Sequence, residues 1–239
     1  METFICMRIG VKTYDNAEFA EYFKDKADFL EVMAIVGNDY SFLDDYPLPI
    51  VVHVMHNGFG VNFADESLSE KNREAVDFAV ELADRFDSEK IILHSGRAKE
   101  DACSVENSVR EFRNLDKRVI VENCPFDICS TPNKTSRFLL ESGRDFCFDV
   151  NHAICVAEVL GESYLEMIEE FLKLKPIHFH LSGQALGDNL KDHLSFEDSE
   201  VSFENILKML PEDAEVTLEV TTDIEKTARD LDFIRGLVG

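Results

Sequence analysis

At 239 residues, 45% of them apolar, the chain can bury a sizeable core, and α/β barrels often use this length for one domain. A net charge of −24 opposes long contacts with nucleic acid or anionic membrane, which need basic surface, and fits an acidic surface spread for solubility or salt. No apolar run approaches the ~18 residues of a membrane span, and six scattered cysteines without a paired spacing read as free thiols of a reducing cytoplasm.

The chain begins Met1-Glu2-Thr3-Phe4, without the basic region and long apolar stretch of a signal peptide, so a cytoplasmic protein is expected. Short apolar, β-branched runs predict strands at residues 4–9, 29–35, 50–54, 90–94, 118–122, 146–149, 177–180 and 216–220. Apolar residues at three- and four-residue spacing predict helices at 17–26, 70–86, 104–114, 134–142, 153–174, 203–210 and 224–237, with a weak one at 38–46. Alternating strands and helices imply a parallel sheet. Eight such repeats in this length imply a single closed (β/α)₈ TIM barrel over residues 1–239. An open doubly wound sheet is the alternative, but no G-x-G-x-x-G follows any of these strands.

Ligands bind at the carboxyl ends of strands in such folds, and polar residues gather there. Strand 3 ends in His53, with His56 just beyond. Strand 4 ends in His94, strand 5 in Glu122, and strand 6 in Asp149, with His152 at the turn into the next helix. Strand 7 supplies His178 and His180, the loop after it Asp188, Asp192 and His193, and strand 8 Glu219; all seven histidines belong to this set. Alternation places Asp149 with Cys147, Glu122 with Ile120, and Glu219 with Thr217 on one face of each strand. A charged side chain in an apolar strand is costly unless paired or coordinated. Carboxylates and imidazoles at successive strand ends therefore point to a divalent metal, with Zn²⁺, Mn²⁺, Co²⁺ and Mg²⁺ all compatible. His178, deeper on the face of His180, reads as a hydrogen-bonded core histidine. Spacing does not separate His53 from His56. Glu31 reads as an ion-pair partner of Arg8 rather than a catalytic group, and the loop Asn57-Gly58-Phe59-Gly60 is placed to cover the site.

These residues resemble the xylose-isomerase-like TIM barrels, a superfamily of sugar isomerases and epimerases that also contains endonuclease IV. Phe148-Asp149-Val150-Asn151-His152-Ala153 resembles the family's D-x-x-H-A, and Val121-Glu122-Asn123 its E-N. Phe179-His180-Leu181-Ser182 followed by Asp192-His193-Leu194 resembles its H-L-x-D and downstream D-x-H, and Leu218-Glu219-Val220 its final glutamate. The resemblance to ketose epimerases implies one metal held by Glu122, Asp149, His180 and Glu219. The resemblance to endonuclease IV implies additional metal ligands at His56 (or His53), His94, His152 and His193, with Asp192 in the same motif. Three positions depart from the pattern: Lys191 and Gly183 stand where the family has Asp, and Ser95 where proline is expected.

Two chemistries follow. In a sugar or sugar-phosphate isomerase or epimerase, the ion polarises a ketose. Glu122 and Glu219 remove and return the proton of the acidified carbon, and His53 and His152 contact substrate. In an endonuclease IV-like zinc-dependent phosphodiester hydrolase, clustered ions act on apurinic DNA. The histidine-rich set favours this reading, while the acidic charge and the lack of basic loops oppose it. A barrel that only binds a sugar is a third reading. The isomerase is the expected function, with a small-molecule sugar or sugar phosphate as partner, no membrane, and nucleic acid disfavoured.

Overall fold

The computed structural model describes residues 7–98, 103–220 and 222–238. Its strands are Arg8–Thr13 (β1), Leu30–Ala34 (β2), Ile50–Val54 (β3), Ile91–His94 (β4), Val119–Glu122 (β5), Phe146–Asp149 (β6), His178–Leu181 (β7), Gly183–Ala185 (β8), Lys191–Leu194 (β9) and Glu215–Leu218 (β10). Eight of them close a parallel barrel in the order β1-β10-β7-β6-β5-β4-β3-β2, while β8 and β9 form a separate antiparallel hairpin. The helices are Ala17–Phe23 (α1), Ser69–Arg85 (α2), Val105–Asn114 (α3), Pro132–Ser142 (α4), Val150–Leu160 (α5), Tyr164–Leu172 (α6), Phe203–Leu207 (α7) and Ile224–Val238 (α8). This is the (β/α)₈ barrel that the alternation implies. None of its helices, among the described residues, is long and apolar enough to cross a membrane.

Besides the β8–β9 hairpin, which stands where a loop is expected, three elements differ from expectation. The first strand is Arg8–Thr13 rather than 4–9, and residues 4–6 lie outside the described residues. Gly10 and Lys12 break its apolar pattern, yet both belong to the strand. A Cβ on Gly10 would lie 2.3 Å from the Phe29 ring, so only glycine admits that ring. The long helix at 153–174 is two helices. Gly161 ends α5 in the left-handed conformation at φ 68°, and Ser163 caps α6 by accepting from the Glu166 N–H. Residues 38–46 hold only a 3₁₀ turn, Ser41–Leu43.

Strand alternation divides the core in two. Val52, Val121, Phe146, Phe148, Phe179 and Leu181 pack with helix residues such as Ala79, Phe112, Ile154 and Phe171. Phe29, Val51, Ile92, Ile120 and Cys147 form a separate cluster, the apolar floor of the barrel interior. Each large side chain fully buried in this way contributes about 1.5–3 kcal/mol. Below the floor, Glu215 pairs with Arg8 and with Lys90. Above it, the interior is polar.

Candidate active site

The passage from β6 to α5 has no loop. Asp149 ends the strand and is also the N-cap of the helix, its Oδ1 accepting from the His152 N–H at 2.7 Å. An N-cap carboxylate reaches the third helical N–H, which is why an aspartate and a histidine at this spacing meet. The His152 Nδ1 lies 3.5 Å from Asp149 Oδ2. Two asparagines fix the flanking strands. Asn123 donates to Asp149 O and accepts from Asp149 N–H, both at 2.8 Å. Asn151 donates to Ser182 O at 2.7 Å and accepts from Ser182 N–H at 2.8 Å. The ends of β5, β6 and β7 are thereby locked level with one another.

The structure brings Glu122, Asp149, His180 and Glu219 together: one ligand atom from each lies within 4.8 Å of the others. His180 Nδ1 is the centre of this group, 2.9 Å from Glu219 Oε2, 3.4 Å from Glu122 Oε1 and 3.9 Å from Asp149 Oδ2. Glu122 Oε1, His180 Nδ1 and Glu219 Oε2 are buried without a hydrogen-bond partner. Three orphaned ligand atoms around one point are costly on their own, and a divalent cation there satisfies all three. The donor set, three carboxylates and an imidazole, fits such an ion.

The other atoms of these groups are held from behind. His180 Nε2 lies 3.0 Å from Glu31 Oε2, which also accepts from Thr217 Oγ1 at 2.7 Å. Glu219 Oε1 accepts from Lys12 Nζ at 2.8 Å, and the same ammonium lies 3.1 Å from Glu31 Oε1. Glu31 thus pairs with Lys12 and His180, not with Arg8 as expected. The reason is register: β1 runs further than predicted, so Lys12 is level with Glu31 while Arg8 is level with Glu215. Burial alone would lower the Lys12 pKa, but Glu219, Glu31 and Glu122 together raise it, so it stays an ammonium. Burial opposes ionisation of Glu219 and Glu122 too. Lys12 and His180 nevertheless hold Glu219 well below the usual carboxylate range, and His94 and His180 do the same for Glu122. Burial pushes Asp149 up.

The remaining histidines surround this centre. His53 is fully buried, with Nδ1 2.8 Å from Val54 O and Nε2 3.0 Å from Glu122 Oε2. His56 lines the mouth cavity and stacks on His94, whose Nε2 lies 3.1 Å from Glu122 Oε2. Of the two residues that spacing left unresolved, His56 therefore faces the mouth and His53 lies beneath Glu122. His152, Asp192 and His193 form a further group with ligand atoms within 4.8 Å, carried partly by the β8–β9 hairpin. Asp188 is exposed in the hairpin's turn and belongs to none of these groups. His178 is buried 2.9 Å from Thr217 Oγ1, as a core histidine should be. Gly183 is required: a Cβ there would lie 2.1 Å from Ser195 O, so the aspartate of the family motif has no room.

Sequence reasoning missed Lys12, and also Cys124 and Asp127, which with His94 form another group whose ligand atoms lie within 4.8 Å of one another. A lysine between Val11 and Thr13 was the available signal for the first; nothing local marked the other two. A cavity of about 440 Å³ opens above the centre, lined by His56, His94, Arg97, His152, His193 and Glu219 among others. A larger cavity of about 810 Å³, mainly apolar, lies beside it between α4 and α5 and shares Phe126 and Asp192.

A parallel barrel with carboxylates and imidazoles converging at its carboxyl mouth defines the class as a TIM barrel with candidate metal-ligand groups there. A family model described as xylose isomerase-like TIM barrel matches residues 41–237, and the chain belongs to that family. No curated protein matches. Among solved structures, a D-tagatose 3-epimerase-like protein is 20% identical with TM-score 0.71, over 97% of this chain and 97% of that one. Endonuclease IV from Thermus thermophilus is 17% identical with TM-score 0.71, over 96% of this chain and 98% of that one. A probable 3-DHS dehydratase from Bacillus anthracis is 15% identical with TM-score 0.67, over 96% of this chain and 99% of that one. Identities this low establish the fold and leave the reaction open.

Proposed function

We propose that the chain is a divalent-metal-dependent isomerase or epimerase acting on a sugar or sugar phosphate. One observation carries this reading. Glu122 and Glu219 each have one oxygen held and one free, and the free oxygens share the space around His180 Nδ1. Glu122 Oε2 is held by His53 and His94, and Glu219 Oε1 by Lys12. Glu122, Asp149, His180 and Glu219 would hold the ion, which when bound supplies Lewis-acid polarisation of a carbonyl and its neighbouring hydroxyl.

The chain's own groups then do the proton work. One of Glu122 and Glu219 removes the proton from the substrate carbon and the other returns it. His152, with Nδ1 2.8 Å from Asn123 O, offers Nε2 to a hydroxyl. His56 takes the substrate contact expected of His53, because His53 is sealed under Glu122. The mouth cavity suits a monosaccharide-sized ligand. The endonuclease IV-like reading draws on the same histidines. Arg97, however, is the one Lys or Arg among the described residues lining this cavity, too little for a DNA backbone. The test is incubation of the metal-loaded protein with ketoses and ketose phosphates in D₂O. Deuterium incorporated at the carbon next to the carbonyl is the expected result; no incorporation with any of them, together with cleavage of apurinic DNA, overturns the reading.

A further inference from the structure

We propose that His94, Cys124 and Asp127 form a second cation site, suited to a thiophilic divalent ion such as Zn²⁺. This site stands independently of the reaction proposed above.

Cys124-Pro125-Phe126-Asp127 is a tight turn, closed by the Asp127 N–H donating to Cys124 O at 3.2 Å, with Phe126 in the left-handed region at φ 69°. The turn brings its two end residues together at the end of β4. One ligand atom from each of His94, Cys124 and Asp127 lies within 4.8 Å of the others. Asp127 is 3% exposed, and its Oδ1 accepts from Arg97 Nε at 3.0 Å. Its Oδ2 is buried without any hydrogen-bond partner. That oxygen lies 3.8 Å from His94 Nδ1. The separation is too long for a hydrogen bond. It matches the edge of a tetrahedron built on ligand bonds of ~2.0–2.3 Å, about 3.3–3.8 Å.

The chemistry is that of zinc. A thiolate, a carboxylate and a neutral imidazole balance a charge of two and form a donor set that zinc prefers over magnesium or calcium. Arg97 occupies Oδ1 and so leaves Asp127 a single oxygen to offer. His94 can serve this site while still supporting Glu122 Oε2 from behind, because its Nε2 faces Glu122 while its Nδ1 faces Asp127. The three protein ligands leave a fourth position, and both His94 and Cys124 line the mouth cavity.

Cobalt tests the site because a thiolate ligand to Co²⁺ gives a near-ultraviolet charge-transfer band that carboxylates and imidazoles do not. Protein stripped with a chelator is titrated with Co²⁺. The expected result is two equivalents bound, one of them bringing the thiolate band. Cys124→Ser should lose the band and one equivalent, and keep the visible absorption of the first site, which also reports an intact barrel. Asp127→Asn keeps the thiol and should weaken the second equivalent by at least about tenfold, the low end for losing even an outer-shell partner. Cys147→Ala, which removes a thiol from the barrel floor, should retain the band. A wild type without the band at saturating Co²⁺, a band that survives Cys124→Ser, or unchanged cobalt affinity in Asp127→Asn overturns the proposal.

Discussion

Glu31 Oε2 lies 3.0 Å from His180 Nε2, with both side chains completely buried, so the histidine's other nitrogen, Nδ1, is turned toward Glu122 and Glu219. A carboxylate behind a ligating histidine fixes its tautomer and raises its basicity. Glu31→Gln keeps the shape and removes the charge. The expected outcome is a loss of about 10–100-fold in affinity for the first divalent ion, read by competition against a chromophoric chelator. Unchanged affinity would show that Glu31 only fills space.

The two proposed chemistries separate on two substitutions. Glu219→Gln keeps an oxygen for a metal but removes a proton acceptor, so deuterium exchange into a ketose should fall about 10²–10⁴-fold. His94→Ala leaves the four-residue centre complete and His53 still on Glu122 Oε2. Exchange should then drop no more than the roughly tenfold of a weak outer-shell loss. Equal collapse in both variants, with apurinic-site cleavage by the wild type, would refute the isomerase.

Gly183 marks where the β8–β9 hairpin leaves the barrel. Its added Cβ would meet backbone, Ser195 O at 2.1 Å, not a side chain that can swing away. Gly183→Ala must shift the hairpin and with it Asp192 and His193. Overpacking of this kind costs about 1–3 kcal/mol, to be measured by urea denaturation. A change within about 0.5 kcal/mol, the range of ordinary surface substitutions, would contradict the contact.

The opposite end of the barrel carries a pH-dependent tie. Glu215 pairs with Lys90 and Arg8, and His178 Nδ1 faces it at 3.8 Å. The His178 ring, then Lys90 and Arg8, outweigh burial and hold its carboxyl down to about 2, from an ordinary value of 4.5. A depressed folded-state pKa stabilises above the unfolded value and is lost as pH falls through the folded one. Glu215→Gln should therefore be less stable than wild type by about 2 kcal/mol at pH 7. The gap should close between about pH 4.5 and pH 2 as wild type loses its advantage. A gap independent of pH in parallel denaturation curves would show that the tie is not electrostatic.

The sequence alone determined the barrel and most residues at its mouth. Strand alternation and helical spacing depend on backbone geometry over two to four residues, so Glu122, Asp149, His180 and Glu219 were legible as inward-facing strand ends. The neighbouring Asp149 and His152 were legible for the same reason, since one cap joins them. Only the tertiary structure decided what each group faces. Lys12 meets Glu31 and Glu219 because β1 is paired on both sides at a particular register, and register across a closed barrel joins residues far apart in the chain. His56 rather than His53 lines the mouth because it stands in extended chain beyond the end of β3, whereas His53 sits within the strand against Glu122. Cys124 and Asp127 gained their meaning only from the end of β4, where His94 stands against them. Periodicity assigns a side chain to a face; closure of the barrel decides which other side chains share its space.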